Sequence, residues 1–133
     1  DLLGYLKDKG KKVILLSNAQ EVFTLRELKA LGIYELFDEI FISSAVGYRK
    51  PDPVFFQYAL KKCDLKKEDC LMIGNDLFCD VEGAKETGID VCYIRSALSP
   101  KEEKPVQATY VLDRMDLRRL KQMTDISMKK ETK

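Results

Sequence analysis

The sequence contains no histidine among its 133 residues. This absence excludes Ser-His-Asp and Cys-His nucleophilic catalysis, and it also excludes zinc sites that depend on histidine ligands. The side chains that remain for chemistry are those of Asp, Glu, Lys, Ser and Asn. A catalytic site on this chain would therefore be built from carboxylates, amines, hydroxyls and amides.

The sequence also lacks an excess of charge of either sign. Lys and Arg total 23 and Asp and Glu total 22, which leaves a net charge of +1. Such a balance gives no electrostatic reason to expect nucleic acid or an anionic membrane as a partner. No apolar run approaches the roughly 18 residues of a membrane span, and no signal peptide is visible. We therefore expect a cytoplasmic protein with no nucleic-acid or membrane partner.

Cysteine is scarce and follows no metal-ligand spacing. The four cysteines lie in or beside apolar segments, where reduced, partly buried thiols are expected rather than disulfides. With 45% apolar and 34% charged residues, the composition is that of an ordinary soluble domain. The first residue is Asp rather than Met, so we expect a fragment or a processed product. The cysteines are Cys63, Cys70, Cys79 and Cys92.

Apolar runs typical of strands alternate along the chain with segments of helical spacing. This alternation predicts a doubly wound α/β fold with a parallel sheet and right-handed crossovers. We expect residues 1–124 to form the core domain and residues 125–133 to form a flexible polar tail. The predicted strands are Val13–Leu16, Glu39–Ile42, Leu71–Ile73, Val91–Ile94 and Thr109–Leu112. The predicted helices are Asp1–Lys9, the segments that end before Gly32, near Cys63 and at Gly88, and Leu117–Met123.

Two helix starts carry capping signals. Asn18 and Glu21 have the spacing of a capping box, with Asn in place of the usual hydroxyl residue. Asp52 precedes Pro53, an order that favours Asp as the helix cap and Pro as the first helical residue. The helix after Asp52 should bury an apolar stripe of Phe55, Ala59 and Cys63.

An acidic loop follows the apolar run that stops at Gly74. In an open parallel sheet, ligands sit beyond the carboxyl ends of the strands, which is where this loop places Asp76 and Asp80. Carboxylate oxygens suit Mg²⁺, which accepts one or two protein carboxylates and fills its octahedron with water and phosphate oxygens. The alternative interpretation is a glycine turn followed by an N-capping Asp.

Two further strand ends carry polar groups that suit a phosphate. Ser17 ends the first strand, and the backbone N–H groups that follow it open a helix. Lys50 precedes Pro51, which biases it toward extended backbone, and its ammonium is a compact charge for a phosphoryl oxygen. Taken singly, Ser17 could be a turn residue and Lys50 a solvated charge. Together with Asp76 they form a phosphate-handling set.

These residues resemble the motifs of the haloacid dehalogenase-like superfamily, in its helical-cap subfamily of mostly Mg²⁺-dependent phosphohydrolases. Val13–Ala19 resembles the second motif of that family, Gly47–Pro53 the third and Gly74–Ala84 the fourth, in family order. The resemblance implies a three-layer Rossmann-like fold. It also implies a small phosphorylated substrate and Mg²⁺ as the cofactor.

The same resemblance implies a role for each site residue. Ser17 and Asn18 would contact the phosphoryl group, and Lys50 would be the catalytic cation that neutralises nucleophile and phosphate charge. Asp76 and Asp80 would hold Mg²⁺. Many family members carry Asp directly after the glycine of the fourth motif, where this chain has Asn75. Asn75 is therefore the alternative ligand, although a carboxylate binds Mg²⁺ better than a neutral amide.

The first motif of the family has no counterpart in this sequence. That motif is a strand carrying Asp-x-Asp, whose first Asp is the nucleophile that forms an aspartyl-phosphate, and no such acidic pair follows an apolar strand here. The cap between the first and second motifs is missing as well. We therefore expect the chain to be the carboxyl-terminal part of a phosphatase and to be inactive alone.

The missing strand would leave a gap in the sheet. In the family it lies between the strands that end here at Ser17 and Gly74, so its loss would leave these strands roughly 10 Å apart instead of about 4.8 Å. They could pair directly, receive a strand from a missing segment, or bring two chains together as a dimer. Direct pairing or association is favoured because unpaired central edges are costly.

Two other interpretations compete with the phosphohydrolase. The first is a non-catalytic binding or regulatory module that kept the scaffold but lost the first motif. An Asp-x-Asp strand encoded upstream of Asp1 would favour the enzyme, and a start codon there would favour the module. The second is an unrelated flavodoxin-like domain, which would require the spacings of Ser17, Lys50 and Asp76 to be coincidental.

Overall fold

Helices and strands alternate along the chain in the computed structural model, which describes residues 2–18, 21–32, 34–95, 102, 105–114, 116 and 118–123. The strands are β1 (Ile14–Ser17), β2 (Glu39–Ile42), β3 (Leu71–Gly74), β4 (Asp90–Ile94) and β5 (Tyr110–Leu112). The helices are α1 (Leu2–Asp8), α2 (Glu21–Ala30), α3 (Ser43–Val46), α4 (Pro53–Lys62) and α5 (Gly83–Thr87). A π-helical turn, Leu77–Glu82, leads directly into α5, and residues 118–123 are also helical. Short 3₁₀ turns occupy Tyr34–Leu36 and Lys67–Asp69.

The strands form two parallel sheets rather than one continuous sheet. β1 pairs with β2 in one sheet, and the order β3-β4-β5 makes the other. In the first sheet Ile14 lies opposite Glu39, and in the second Leu71 lies opposite Asp90. Each of the five strands begins and ends within one residue of its predicted position. The α/β prediction with parallel strands is therefore confirmed.

The described strands β1 and β3 are not paired with each other. Of the two outcomes that the sequence favoured, direct pairing is therefore wrong, and association of chains stays a prediction. A groove of about 390 Å³ lies between the two strands instead. The residues of both strands are only half-buried, because the groove borders them. The uninterrupted apolar run Val13–Leu16 predicts a strand buried on both faces, and that prediction is wrong for the same reason. The groove is lined by Ile14 and Leu16 of β1, Leu71 and Met72 of β3, and Phe56, Ala59 and Leu60 of α4.

Helix α4 joins the two sheets through two different parts of its surface. Phe55, Ala59 and Cys63 pack with Phe41 of β2, as the predicted apolar stripe requires. Phe56 packs instead with the cluster that contains Val91 and Tyr93 of β4. Phe55 and Phe56 are 0% and 1% exposed, and each contributes about 2 kcal/mol by burial. This packing holds the sheets in place on either side of the groove.

The cap at the start of α4 forms as predicted. The Asp52 carboxylate accepts a hydrogen bond from the N–H of Val54 at 3.0 Å, and Pro53 is the first helical residue. Asp76 caps the π-helical turn in the same way. The predicted box of Asn18 and Glu21 falls partly on residues 19–20 and on the Glu21 side chain, which lie outside the described part of the chain.

Several predictions concern residues outside the described ranges. They are Asp1 in the first helix, most of the charged loop at 100–105, Leu117 in the last helix, and the polar tail at 125–133. The four cysteines, all within the described ranges, are free. Within the described ranges, no helix has the length and apolar character that a membrane crossing demands.

Candidate active site

Polar side chains from three separate segments of the chain meet in one group. Asn18 follows β1, Lys50 lies in the loop between α3 and α4, and Asp76 and Asp80 follow β3. The Asn18 side chain is hydrogen bonded to the Lys50 backbone, the Lys50 amine is bonded to Asp80, and Asp80 accepts from the backbone of Asp76. A continuous set of contacts therefore connects segments that are far apart in the sequence.

The ion pair between Lys50 and Asp80 is largely buried. Lys50 Nζ lies 2.6 Å from Asp80 Oδ1, and the two side chains are 11% and 6% exposed. Asp80 Oδ2 accepts from the N–H of Asp76 at 3.2 Å. Removing either partner of such a pair would leave an uncompensated charge in a poorly solvated place. The pair therefore holds the ammonium of Lys50 in a fixed position.

Asp76 is oriented by the backbone of the turn that it caps. Its Oδ1 accepts from the N–H groups of Phe78 at 2.9 Å and Cys79 at 2.8 Å. Both bonds use Oδ1, and the other carboxylate oxygen, Oδ2, accepts no hydrogen bond from the described residues. The carboxylate is thus held in one orientation while one of its oxygens remains available to a ligand.

Gly74 allows the close approach of Asp80. A Cβ atom at position 74 would overlap the Asp80 carboxylate. The π-helical turn brings that side chain back over the end of β3, and such turns are frequent at functional sites. The sequence marked Gly74 as the end of a strand, but nothing in it indicated that a side chain six residues later needs the space.

Cys79 is a second residue of the site that sequence reasoning did not select. Its Sγ lies 3.5 Å from Nδ2 of Asn18. Burial raises the pKa of the Cys79 thiol, and the nearby carboxylate of Asp76 adds to that effect. The thiol is therefore held in its protonated form near neutral pH and is a poor nucleophile.

Ser17 and Asn75 occupy the ends of two strands next to this group. Ser17 is the last residue of β1 and directly precedes Asn18. Asn75 is exposed and directly precedes Asp76. The structure thus brings Asn18, Lys50, Asp76 and Asp80 into contact and places Ser17 and Asn75 beside them.

The donor set suits a metal ion that takes few protein ligands. Within the described ranges, no three Asp, Glu, Cys or His side chains converge to cage an ion. Asp76 offers one available carboxylate oxygen, whereas both oxygens of Asp80 are engaged. Mg²⁺ is commonly bound by one or two carboxylates and completes its shell with water and phosphate. The residues present could hold Mg²⁺ in that manner, mainly through Asp76.

Curated relatives with similar sequences include phosphatases. The chain is 33% identical over 102 residues to glyceraldehyde 3-phosphate phosphatase of Methanothermobacter thermautotrophicus, which covers 77% of this chain and 45% of that protein. It is 29% identical over 100 residues to phosphoserine phosphatase of Thermus thermophilus, covering 75% of this chain and 40% of that protein. The chain thus spans less than half the length of these relatives.

Solved structures show the fold of the chain, and a family comparison shows its family. The HAD-hydrolase YfnB of Bacillus subtilis superposes with a TM-score of 0.83 at 24% identity, covering 94% of this chain and 54% of that chain. The HAD phosphatase of Thermococcus onnurineus gives a TM-score of 0.80 over 92% of this chain and 54% of that chain, at 24% identity. These similarities confirm the fold. The sequence model of the haloacid dehalogenase-like hydrolases matches residues 1–88, and the chain belongs to that family.

Proposed function

We propose that the complete protein is a Mg²⁺-dependent phosphohydrolase that acts on a small phosphorylated metabolite through an aspartyl-phosphate. The observation that carries this proposal is the contact of Lys50 with Asp80 beside Asp76, in the turn that directly follows β3. A fixed cation can neutralise charge on a phosphoryl group, and an oriented carboxylate beside it can hold a divalent ion. The names of the curated relatives support a small phosphorylated substrate.

Each residue of the site has a role in this proposal. Lys50 neutralises charge on the phosphoryl oxygens, and Ser17 donates its hydroxyl to one of them. Asn18 contacts the phosphoryl group through its main chain, because its side chain is bonded to Lys50. Asp76 is the direct ligand of Mg²⁺, with Asp80 acting through water and Asn75 as the alternative. Bound Mg²⁺ would supply further neutralisation of phosphoryl charge.

The nucleophile in this proposal lies on a strand that enters the groove between β1 and β3. The groove is lined by apolar side chains from both strands, as a buried strand between them would require. Its carboxyl end would reach the edge where Lys50 and Asp76 lie. The 133-residue chain has no Asp-x-Asp strand, so we propose that it is inactive by itself.

Hydrolysis of p-nitrophenyl phosphate tests this function in the complete protein. Turnover should require Mg²⁺, should stop with excess EDTA, and should be undetectable with the 133-residue chain alone. Lys50→Ala in the complete protein should lower kcat about 100-fold or more, since it removes a fixed charge at the transition state. Because this change also leaves Asp80 unpaired, circular dichroism must show that the variant is folded at the assay temperature.

The results would separate the enzyme from a non-catalytic module. A complete protein that folds and binds phosphate but has no turnover above background would support the module. Turnover by the isolated chain would contradict the role given to the strand in the groove. Unchanged kinetics in the Lys50→Ala variant would contradict the role given to Lys50.

A further inference from the structure

Every polar group of the Asn18 side chain has a partner within the protein. Oδ1 accepts from the N–H of Lys50 at 2.8 Å, and Nδ2 donates to the C=O of Lys50 at 2.9 Å. Nδ2 also lies 3.5 Å from Sγ of Cys79. A side-chain amide has one acceptor oxygen and two N–H donors, so these three contacts account for all of them. The amide is therefore committed to holding neighbouring residues.

The two hydrogen bonds to Lys50 fix its backbone at both of its polar groups. They also fix the orientation of the amide, because a flipped amide would set oxygen against oxygen and N–H against N–H. The Lys50 side chain then extends to Asp80, where its amine is held at 2.6 Å. Lys50 is thus constrained at its backbone by the end of β1 and at its amine by the turn after β3.

We propose that Asn18 is a positioning residue for Lys50, which sets the backbone from which the catalytic amine is presented, and this inference rests on the proposed function. Its side chain acts through Lys50 and does not contact the substrate. The resemblance gave Asn18 contact with the phosphoryl group, and the proposed function leaves that contact to its main chain only. A displacement of about 1 Å in a charged catalytic group can lower a rate by about 100-fold, so a residue of this kind affects kcat.

Hydrogen exchange of the Lys50 amide in the 133-residue chain tests the contact without any assay of activity. In Asn18→Ala the amide loses its acceptor and should exchange at least 10-fold faster than in the unaltered chain. In Asn18→Asp an oxygen remains to accept from the Lys50 N–H, so most of the protection should remain. Asn75→Ala removes the other asparagine of the chain, which lies at the end of β3, and should leave the exchange of Lys50 unchanged.

Steady-state kinetics of the complete protein test the functional consequence. Asn18→Ala should lower kcat for p-nitrophenyl phosphate by at least 10-fold, with the KM for the ester changed by less than about 3-fold. Asn18→Asp should lie between the unaltered protein and Asn18→Ala, because it keeps one of the two bonds to Lys50. A residue that only stabilised the fold would lower the amount of folded protein and leave the kcat of that folded protein unchanged.

Two results would overturn the inference. One is an unchanged Lys50 exchange rate in Asn18→Ala. The other is a rise in KM at constant kcat, which is the signature of a direct contact with the ground-state substrate. If the unaltered complete protein shows no turnover, the proposed function fails, and the exchange measurements alone then decide whether Asn18 positions Lys50.

Discussion

At the scale of single residues, the site depends on how closely Asp80 can approach the end of β3. Gly74 has no side chain, and the Asp80 carboxylate occupies the space that a Cβ atom would need. From there Asp80 reaches both the Lys50 amine and the N–H of Asp76. The geometry of the cation and that of the acidic loop are therefore set by one glycine.

We predict that Gly74→Ala destabilises the chain by about 2 kcal/mol. The added methyl group overlaps Asp80, so the carboxylate must move away from Lys50 or the end of β3 must shift, and overpacking of this kind costs about 1–3 kcal/mol. Urea denaturation followed by circular dichroism measures the loss.

Gly4→Ala is the matched control for that substitution. Gly4 lies within α1, and a Cβ atom there would meet nothing within 4 Å. Alanine at this position should raise the free energy of unfolding by about 0.5–1 kcal/mol, because alanine is the better helix former. Equal effects at the two glycines would show that Asp80 does not need the space at position 74.

The sequence indicated most residues of the candidate site, but it did not indicate the contacts between them. Ser17, Lys50, Asp76 and Asp80 follow from polar groups at strand ends in the order of known motifs. The bonds from Asn18 to the Lys50 backbone join residues 32 positions apart, and no periodicity or spacing in the sequence reports such a contact. The approach of Asp80 to Gly74 depends on the π-helical turn, which the sequence pattern presented as ordinary helix.

At the scale of elements, Asp38 ties the first helix to both strands of the smaller sheet. Its carboxylate accepts from the N–H of Val13 at 2.6 Å and pairs with the amine of Lys7 in α1 at 2.5 Å. Its own N–H donates to the C=O of Val13 at 2.7 Å. The bond to the Lys7 amine, and next the N–H of Val13, hold the pKa of the Asp38 carboxyl below its usual value.

We predict that Asp38→Asn lowers stability in a manner that depends on pH. Because folding lowers the pKa of Asp38, its contribution is fully present above the pKa of the unfolded chain, about 4, and is lost as the pH falls through the lower pKa of the folded chain. The carboxylate is partly exposed, so the loss should be about 1 kcal/mol at pH 7.

Urea denaturation at pH 7 and at about pH 3 measures that difference. The two proteins should approach each other in stability at the lower pH, where the carboxylate is becoming protonated. The exposed Asp8 at the end of α1 provides the control, and Asp8→Asn should change stability by less than about 0.5 kcal/mol at either pH. A difference between Asp38→Asn and the unaltered chain that does not depend on pH would contradict the assignment.

The positions of the elements were largely predictable, because apolar runs and capping residues are local signals. The strands were located to within one residue, and the Asp52 cap formed as its spacing indicated. The degree of burial was not predictable in the same way. Ile14 and Leu16 read as residues of a fully buried strand, yet they line an open groove, since burial depends on which strand lies alongside.

At the scale of the whole molecule, the groove between β1 and β3 divides one expected sheet into two. Helix α4 spans the division with Phe55 packed toward β2 and Phe56 packed toward β4. The fold is therefore held across the groove by a helix and by the polar contacts of Lys50, and not by strand pairing between the described parts of β1 and β3. This arrangement explains how the two strands remain apart without closing on each other.

We predict that a charge placed in the groove affects the isolated chain and the complete protein very differently. In Met72→Lys the new side chain can extend along the open groove to water, so the isolated chain should lose about 1 kcal/mol of stability. If a strand fills the groove in the complete protein, the same ammonium is buried without a partner, and the loss should be about 3 kcal/mol or more.

Val91 provides the control because it is fully buried within the three-stranded sheet. Val91→Ala should lower stability by a similar amount, about 2 kcal/mol, in both proteins. Chemical denaturation of all four variants measures the comparison, and equal losses for Met72→Lys in the two proteins would show that the groove stays open in the complete protein.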